Sequence, residues 1–332
     1  MKKKYYTLDQ AIKKIFFTYG KKRRLIFEFF YLFLTLNFIH KISAFITMFI
    51  CKNFGYEKYN NSKILKILLF TGIRGMKQSD IFNIREKHFL TLKNKIAVKS
   101  YNGLDQSISE IRENGFCNVS KLFDLSEQDV NEVNNFFLKE KFYNGHEPMQ
   151  SNLKKMTFDE LKKLKRCNES LIFDRGYYSF DIETQLKNNI VKELYNSKVL
   201  KDLSDAYCGF ETEPYTILTM LNLPNKDAHP VTDYHRDPDD YIFLGFFIYW
   251  TDTNINNGAT TFKIKSHKKE FKDGIGEKIL EVKPGSIIAG DWMGLHKGNE
   301  KIENDKYRLV TMIRFGKKFN HTYIQTKSYY FI

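Results

Sequence analysis

The chain has 332 residues, of which 42% are apolar, 28% charged and 16% aromatic; this excludes a mainly disordered or collagen-like polypeptide and leaves room for one large domain or two ordinary ones. Its 53 Lys and Arg against 39 Asp and Glu give a formal charge of +14, unevenly spread. Residues 1–100 hold 21 basic and 5 acidic side chains, net +16, and residues 101–332 hold 32 and 34, net −2. The sequence therefore divides into a basic, apolar-rich, largely helical front piece (1–100) and a near-neutral body (101–332). Cys51, Cys117, Cys167 and Cys208 are scattered, without a CxxC pair. That argues against a zinc ribbon or a disulfide framework and for a reducing cytoplasm.

The front piece opens with nine basic side chains in residues 1–28, ending in Lys21-Lys22-Arg23-Arg24. Two apolar runs follow, Phe29–Ile39 and Ile42–Cys51, split by His40-Lys41. Each is shorter than the roughly 20 residues that cross a bilayer. A single span over both would set Lys41 near mid-membrane at a cost of about 2.5 kcal/mol or more. Basic residues flank both ends, which favours keeping both in the cytoplasm, and no small-residue cleavage site marks a signal peptide. Three readings stay open: core helices that cap the body, a monotopic element in the membrane interface with peripheral contact through residues 21–52, and a nucleic-acid arm. No recognisable motif organises the third, so no nucleic-acid partner is expected. Ile64–Leu69 and Ile81–Leu90 read as helical.

In the body, Ser107–Arg112 reads as a short helix and Gly115–Val119 as a short strand. Ser126 with Asp129 three residues on forms an N-cap pattern that opens a helix through about Lys139. Residues 150–205 are helical and polar in texture. After Pro214 the pattern turns to β: Tyr215–Leu223, Tyr241–Trp250, Ala259–Lys265, Lys278–Val282, Ser286–Asp291 and Tyr307–Phe315 are rich in Ile, Phe, Tyr, Thr and Val. Asn256-Asn257-Gly258 and Lys283-Pro284-Gly285 supply turn chemistry between them. Short strands at this spacing predict a sandwich or jelly roll with flanking helices, an α+β chain, and not a parallel α/β sheet.

The chemistry-bearing residues sit on this β portion. Tyr234-His235-Arg236-Asp237 sets an imidazole and a carboxylate at i and i+2, one face of a strand. His296 ends Asp291-Trp292-Met293-Gly294-Leu295-His296, and Arg308 follows twelve residues later at the start of the last strong strand. Two imidazoles and one carboxylate on one side of a metal leave three positions open, the donor set suited to Fe(II) in oxygen-activating enzymes. An arginine beside it can hold a dicarboxylate through paired hydrogen bonds. Arg314, on the same strand face as Arg308, competes for that role, with spacing favouring Arg308. His267 reads as a structural or substrate-side residue, Asp233, Asp239 and Asp240 as a solvated acidic loop, and Trp292 and Tyr249 as core or pocket wall.

The order His235-Arg236-Asp237, Asn257-Gly258-Ala259-Thr260-Thr261-Phe262 running to Ser266-His267-Lys268, Lys283-Pro284-Gly285-Ser286, His296 and Arg308 resembles the phytanoyl-CoA dioxygenase-like branch of the Fe(II)/2-oxoglutarate oxygenases, over roughly residues 107–332. The resemblance implies a double-stranded β-helix (jelly roll, cupin-like) core, and iron ligated by His235, Asp237 and His296. It also implies that Arg308 binds the 2-oxoglutarate C5 carboxylate, with Asn222 able to contact the same co-substrate. Fe(II), 2-oxoglutarate and O2 would then serve hydroxylation of an aliphatic C–H in a small metabolite or a lipid or acyl-type substrate. The carboxylate at 237 argues against halogenation, whose enzymes carry a small residue there. The chain departs from the pattern twice: Ile264-Lys265-Ser266-His267 stands for the usual P-G-S-H, and Gly298 stands where some members carry a serine. A non-catalytic jelly-roll module tethered by the front piece is the rival reading.

Overall fold

The computed structural model describes residues 42–43, 45–46, 49, 78–95, 103–144, 156–160, 177–223, 233–237, 241–298, 302 and 306–317. The chain forms two compact units, one of Met1–Ala97 with Pro238–Tyr241 and Ile332, the other of Val98–Asp237 with Ile242–Phe331.

In the first unit, helix α1 (Gln78–Lys95) contains the expected Ile81–Leu90 segment. It buries Ile81, Phe82, Ile84 and Leu92 together with Arg85. The Arg85 guanidinium donates to the carbonyl of Tyr241 and lies 5.6 Å from the Phe89 ring centroid. The helix expected at 64–69 lies outside the described residues.

The second unit is mixed α+β, two antiparallel sheets with flanking helices. Helix α2 (Asp105–Asn114) ends at Gly115, whose φ of 97° is the left-handed C-cap that glycine adopts without strain. Strand β1 (Phe116–Asn118) follows. Helix α3 (Glu127–Lys139) starts at the expected capping box: the Ser126 hydroxyl accepts from the Asp129 N–H, and the Asp129 carboxylate accepts from the Ser126 N–H. Its stripe Val130, Val133, Phe137 is buried at i, i+3, i+7. The segment expected to be helical over 150–205 is interrupted. Strands β2 (Tyr143–Asn144) and β3 (Tyr177–Ser179) pair with each other, and β3 pairs with the strand after the helices. Helices α4 (Ile182–Gln185), α5 (Asn189–Tyr195) and α6 (Lys198–Cys208) follow, capped by Asp181, Asn188 and Ser197.

The remaining strands are β4 (Thr212–Asn222), β5 (Leu244–Tyr249), β6 (Thr260–Lys263), β7 (Glu277–Leu280), β8 (Ile287–Gly290), β9 (His296–Gly298) and β10 (Arg308–Lys317). Six match the expected runs within a few residues at each end; β9 was not anticipated. The larger sheet has the order β1-β8-β5-β10-β4-β3-β2 and the smaller β7-β6-β9, with every pairing antiparallel. Central β5 is buried at all six positions, which is why it reads as an unbroken apolar run and not as an alternation. Aromatic side chains join the two sheets. Trp292 stacks on Phe247 of β5 with centroids 4.0 Å apart and meets Phe262 of β6 edge-on at 6.0 Å. The Tyr249 hydroxyl of β5 donates to Thr260 of β6 at 3.1 Å. Between the sheets, the strand ends carry the polar residues of the site.

Candidate metal centre

His296 opens β9, at an edge of the small sheet. It pairs with Phe262 of β6 on one side and with His235 on the other through a single antiparallel bridge. Both bonds of that bridge form: the His235 N–H donates to the His296 carbonyl at 2.9 Å and the His296 N–H returns to the His235 carbonyl at 3.0 Å. Directly opposed residues of an antiparallel pair bring their side chains together. Two histidines 61 positions apart in sequence thus meet with ring centroids 4.4 Å apart. The expectation of a strand at 235–237 is corrected here: the segment contributes only this bridge. Asp237 still arrives on the same side, because its N–H is fixed by the Trp292 carbonyl at 2.9 Å.

The Asp237 carboxylate stands 3.8 Å from His235 Nε2 and 3.6 Å from His296 Nε2. Ligand atoms of all three residues fall within 4.8 Å of one another. His235 Nδ1 lies 2.8 Å from the Asp233 carbonyl and His296 Nδ1 lies 3.0 Å from the Gly294 carbonyl. A carbonyl oxygen only accepts, so each ring carries its proton on Nδ1 and turns an Nε2 lone pair towards the carboxylate. Burial pushes the His296 imidazole down to about 4, with the Asp237 carboxylate working against it, so near neutral pH this ring is uncharged, as a metal ligand must be. Phe262 stacks nearly parallel to His296 at 6.3 Å, and Trp292 meets it edge-on at 4.9 Å.

Arg236, between His235 and Asp237 in sequence, serves the backbone around the site. It donates to the carbonyls of Ser266, Met293 and Lys272, tying together the two loops that flank the histidines. Ser266 fixes the same corner: its hydroxyl donates to the Lys263 carbonyl at 2.6 Å and accepts the Leu295 N–H at 2.7 Å. In the departing Ile264-Lys265-Ser266-His267 turn, Lys265 adopts φ 63°, a left-handed conformation that costs a non-glycine residue about 1–2 kcal/mol. Its ammonium and that of Lys268 pair with Glu113, which holds the Glu113 carboxyl down at about 2. His267 is buried with Nε2 3.1 Å from the Arg112 carbonyl; it fastens this turn to α2 and is not part of the donor set.

The two arginines of β10 differ sharply. Arg314 donates to Asp237 Oδ2. Arg308 is 6% exposed and has only neutral partners among the described residues. Its Nη1 donates to Asn222 Oδ1 and its Nη2 to Thr260 Oγ1, both at 3.2 Å, and the Tyr249 ring centroid lies 5.4 Å away. Burial pulls the Arg308 pKa below the ordinary arginine range, while Tyr249 works the other way. Arg308 and Asn222 are direct register partners on β10 and β4. Thr260 sits two residues from Phe262, the pairing partner of His296, on the same face of β6 and about 7 Å along it. Gly298, which stands where some members of the resembled family carry a serine, pairs with Thr260. Gly258 lets Arg308 lie where it does: its φ is +74°, and a Cβ there would stand 2.9 Å from Arg308 Cδ.

All five residues singled out from the sequence lie in this region: His235, Asp237 and His296 together, with Arg308 and Asn222 bonded to each other beside them. Asp233 contributes its backbone carbonyl; Asp239 and Asp240 lie outside the described residues. Thr260 and the Arg314–Asp237 contact were missed. For Thr260, the signal was its alternation with Phe262 in the Asn257–Phe262 segment; for Arg314, sequence held none, because its partner is 77 positions away.

No family model matches the chain, and no curated protein does. Among solved structures it is similar to AviO1 from Streptomyces viridochromogenes Tue57 (16% identity, covering 66% of this chain and 97% of that one, TM-score 0.43). It is similar to the non-heme alpha ketoglutarate dependent epimerase SnoN from nogalamycin biosynthesis (16%, 65% and 83%, TM-score 0.44). A third similar structure is EctD from S. alaskensis with 2-oxoglutarate and 5-hydroxyectoine (13%, 64% and 75%, TM-score 0.45).

Proposed function

We propose that residues 101–332 form a non-haem Fe(II)/2-oxoglutarate-dependent oxygenase with a jelly-roll core, of the phytanoyl-CoA dioxygenase-like kind, that hydroxylates an aliphatic C–H of a small-molecule substrate. The observation that carries this reading is the buried Arg308 guanidinium, which has no carboxylate partner among the described residues, together with two imidazoles and a carboxylate turned towards one point. A buried charge is costly unless it is paired. Arg308 is therefore suited to an anionic ligand, and a dicarboxylate whose other end reaches the metal is the ligand that uses both features.

The donor set fits Fe(II): His235 Nε2, His296 Nε2 and one Asp237 oxygen would hold it on one face, leaving open positions. Iron with 2-oxoglutarate and O2 supplies an oxidant strong enough to take hydrogen from an unactivated C–H. The protein's own residues do the positioning. Arg308 grips the distal carboxylate of the co-substrate through its fork, and Asn222 and Thr260 fix that fork in orientation. The carbonyls of Asp233 and Gly294 hold the Nδ1 protons, so neither imidazole can turn its lone pair away. Arg314 donates to Asp237 Oδ2 and so holds one of its oxygens aside. Phe262 and Trp292 wall the His296 side against water.

The test is succinate formation from 2-oxoglutarate with Fe(II) and ascorbate, with metabolite extracts screened for products heavier by one oxygen. Asp237→Ala and His296→Ala should abolish turnover. Arg308→Ala should raise the KM for 2-oxoglutarate by about 10- to 150-fold, the loss of a charge-assisted pair. Full turnover in either ligand variant would overturn the assignment. Metal binding with no sensitivity to Arg308→Ala would point to a different metal chemistry on the same scaffold.

A further inference from the structure

The front piece carries a surface that the oxygenase reading does not use. The described residues at 42, 43, 45, 46 and 49 are all helical. Ile42, Phe45 and Phe49 are 52%, 75% and 56% exposed, whereas Ser43 is 1% exposed. Positions i, i+3 and i+7 share one face of a helix. The described helical positions therefore turn Ile42, Phe45 and Phe49 outward and Ser43 inward, with Ile46 half-buried, the reverse of a pattern that serves only a core.

Charge identifies what covers that face. The surrounding residues 1–100 are net +16, with Lys21-Lys22-Arg23-Arg24 ahead of the apolar runs and Lys52, Lys58, Lys63 and Lys66 after them. Basic residues flanking exposed aromatic and aliphatic side chains match a bilayer of anionic lipid, where headgroups attract the cations and the acyl boundary takes the rings. Length sets the orientation. The apolar runs Phe29–Ile39 and Ile42–Cys51 are each shorter than the roughly 20 residues that cross a bilayer, and Lys41 interrupts them.

We propose that the front piece lies in the plane of an anionic membrane surface, with Ile42 and Phe45 inserted and the flanking lysines and arginines on the headgroups. This proposal does not rest on the oxygenase reading, so loss of 2-oxoglutarate turnover would leave it untouched.

The test is flotation of the full chain with phosphatidylcholine vesicles, with and without phosphatidylserine. Binding should require phosphatidylserine and fall as salt shortens the Debye length below about 8 Å. The double variant I42E/F45E should lower partitioning about 100-fold or more, as two apolar side chains no longer leave water. Should that variant fail to fold by circular dichroism, changing Lys21, Lys22, Arg23 and Arg24 to glutamine provides the second arm, with binding expected to weaken on anionic vesicles at low salt. Failure of the full chain to float, equal binding to neutral vesicles, or undiminished binding by the folded I42E/F45E variant would overturn the proposal. Loss of self-association in that variant, with no vesicle binding by the parent, would overturn it in favour of a second copy of the chain.

Discussion

Arg308 and Arg314 lie six residues apart on β10, and both are nearly fully buried, yet among the described residues only Arg314 meets a carboxylate. Spacing after His296 favours Arg308 as the co-substrate anchor but says nothing of what Arg314 does. Its partner Asp237 is identified only once the chain has folded back on itself. The Asp237 carboxylate thus has two duties, facing the imidazoles with one side and neutralising Arg314 with the other. Asp237→Ala should therefore do more than remove a ligand. It also removes the carboxylate that the buried Arg314 guanidinium bonds, and breaking a buried pair costs about 3–5 kcal/mol. Adding Arg314→Met to that variant should return most of the lost stability and none of the metal binding. Denaturant unfolding of the four proteins of the cycle measures this; a coupling of about 1–3 kcal/mol is expected, and simple additivity would mean that the pair contributes nothing.

At the scale of elements, strands rich in aromatic and β-branched residues were legible because each is long enough to show its composition. Strand β9 was not: His296-Lys297-Gly298 has no strand-like composition, and only its pairing with β6 makes it one. The same is true of β3, three residues embedded in a polar stretch that read as helical. The close packing of strands β5 and β8 against Trp292 was also hidden. Gly245 and Gly290 are direct cross-strand partners, and the indole lies over both. A Cβ at Gly245 would stand 2.4 Å from Trp292 Cδ1 and one at Gly290 3.0 Å from its ring. Gly245→Ala must therefore shift the indole of Trp292, which meets His296 edge-on and belongs to the residue whose backbone carbonyl accepts from the Asp237 N–H. Overpacking of this kind costs about 1–3 kcal/mol, and a displaced supporting residue weakens metal affinity by about 10- to 100-fold. Gly276, with nothing within 4 Å of a Cβ, is the matched control: Gly276→Ala should leave both stability and metal titration near those of the parent. Equal behaviour of the two variants would show that the indole moves freely.

Across the whole molecule, the candidate metal centre draws on chain segments between Asn222 and Arg314, so its parts come together only when the two sheets are in place. The order of motifs could be read from sequence because each sits beside a turn or strand signal, whereas the electrostatic state of each residue could not, since it depends on what fails to lie nearby. Arg308 is the sharpest case. If it awaits an anion, the protein without metal and co-substrate bears a buried charge whose partners among the described residues are all neutral, and Arg308→Met, which keeps most of the apolar stem, should make that form more stable. A gain of about 1 kcal/mol would raise Tm by about 2–4 °C in a domain of this size. Loading reverses the ranking. A divalent metal should stabilise parent and variant alike, since the three ligands are intact. The further increment from 2-oxoglutarate, about 2.7 kcal/mol at one hundred times its Kd, should appear only in the parent. Were Arg308 a purely structural residue, its replacement would lower Tm in every state, and 2-oxoglutarate would shift parent and variant equally. A thermal-shift series over the metal-free, metal-loaded and doubly loaded forms separates the two cases by sign, without requiring the identity of the substrate.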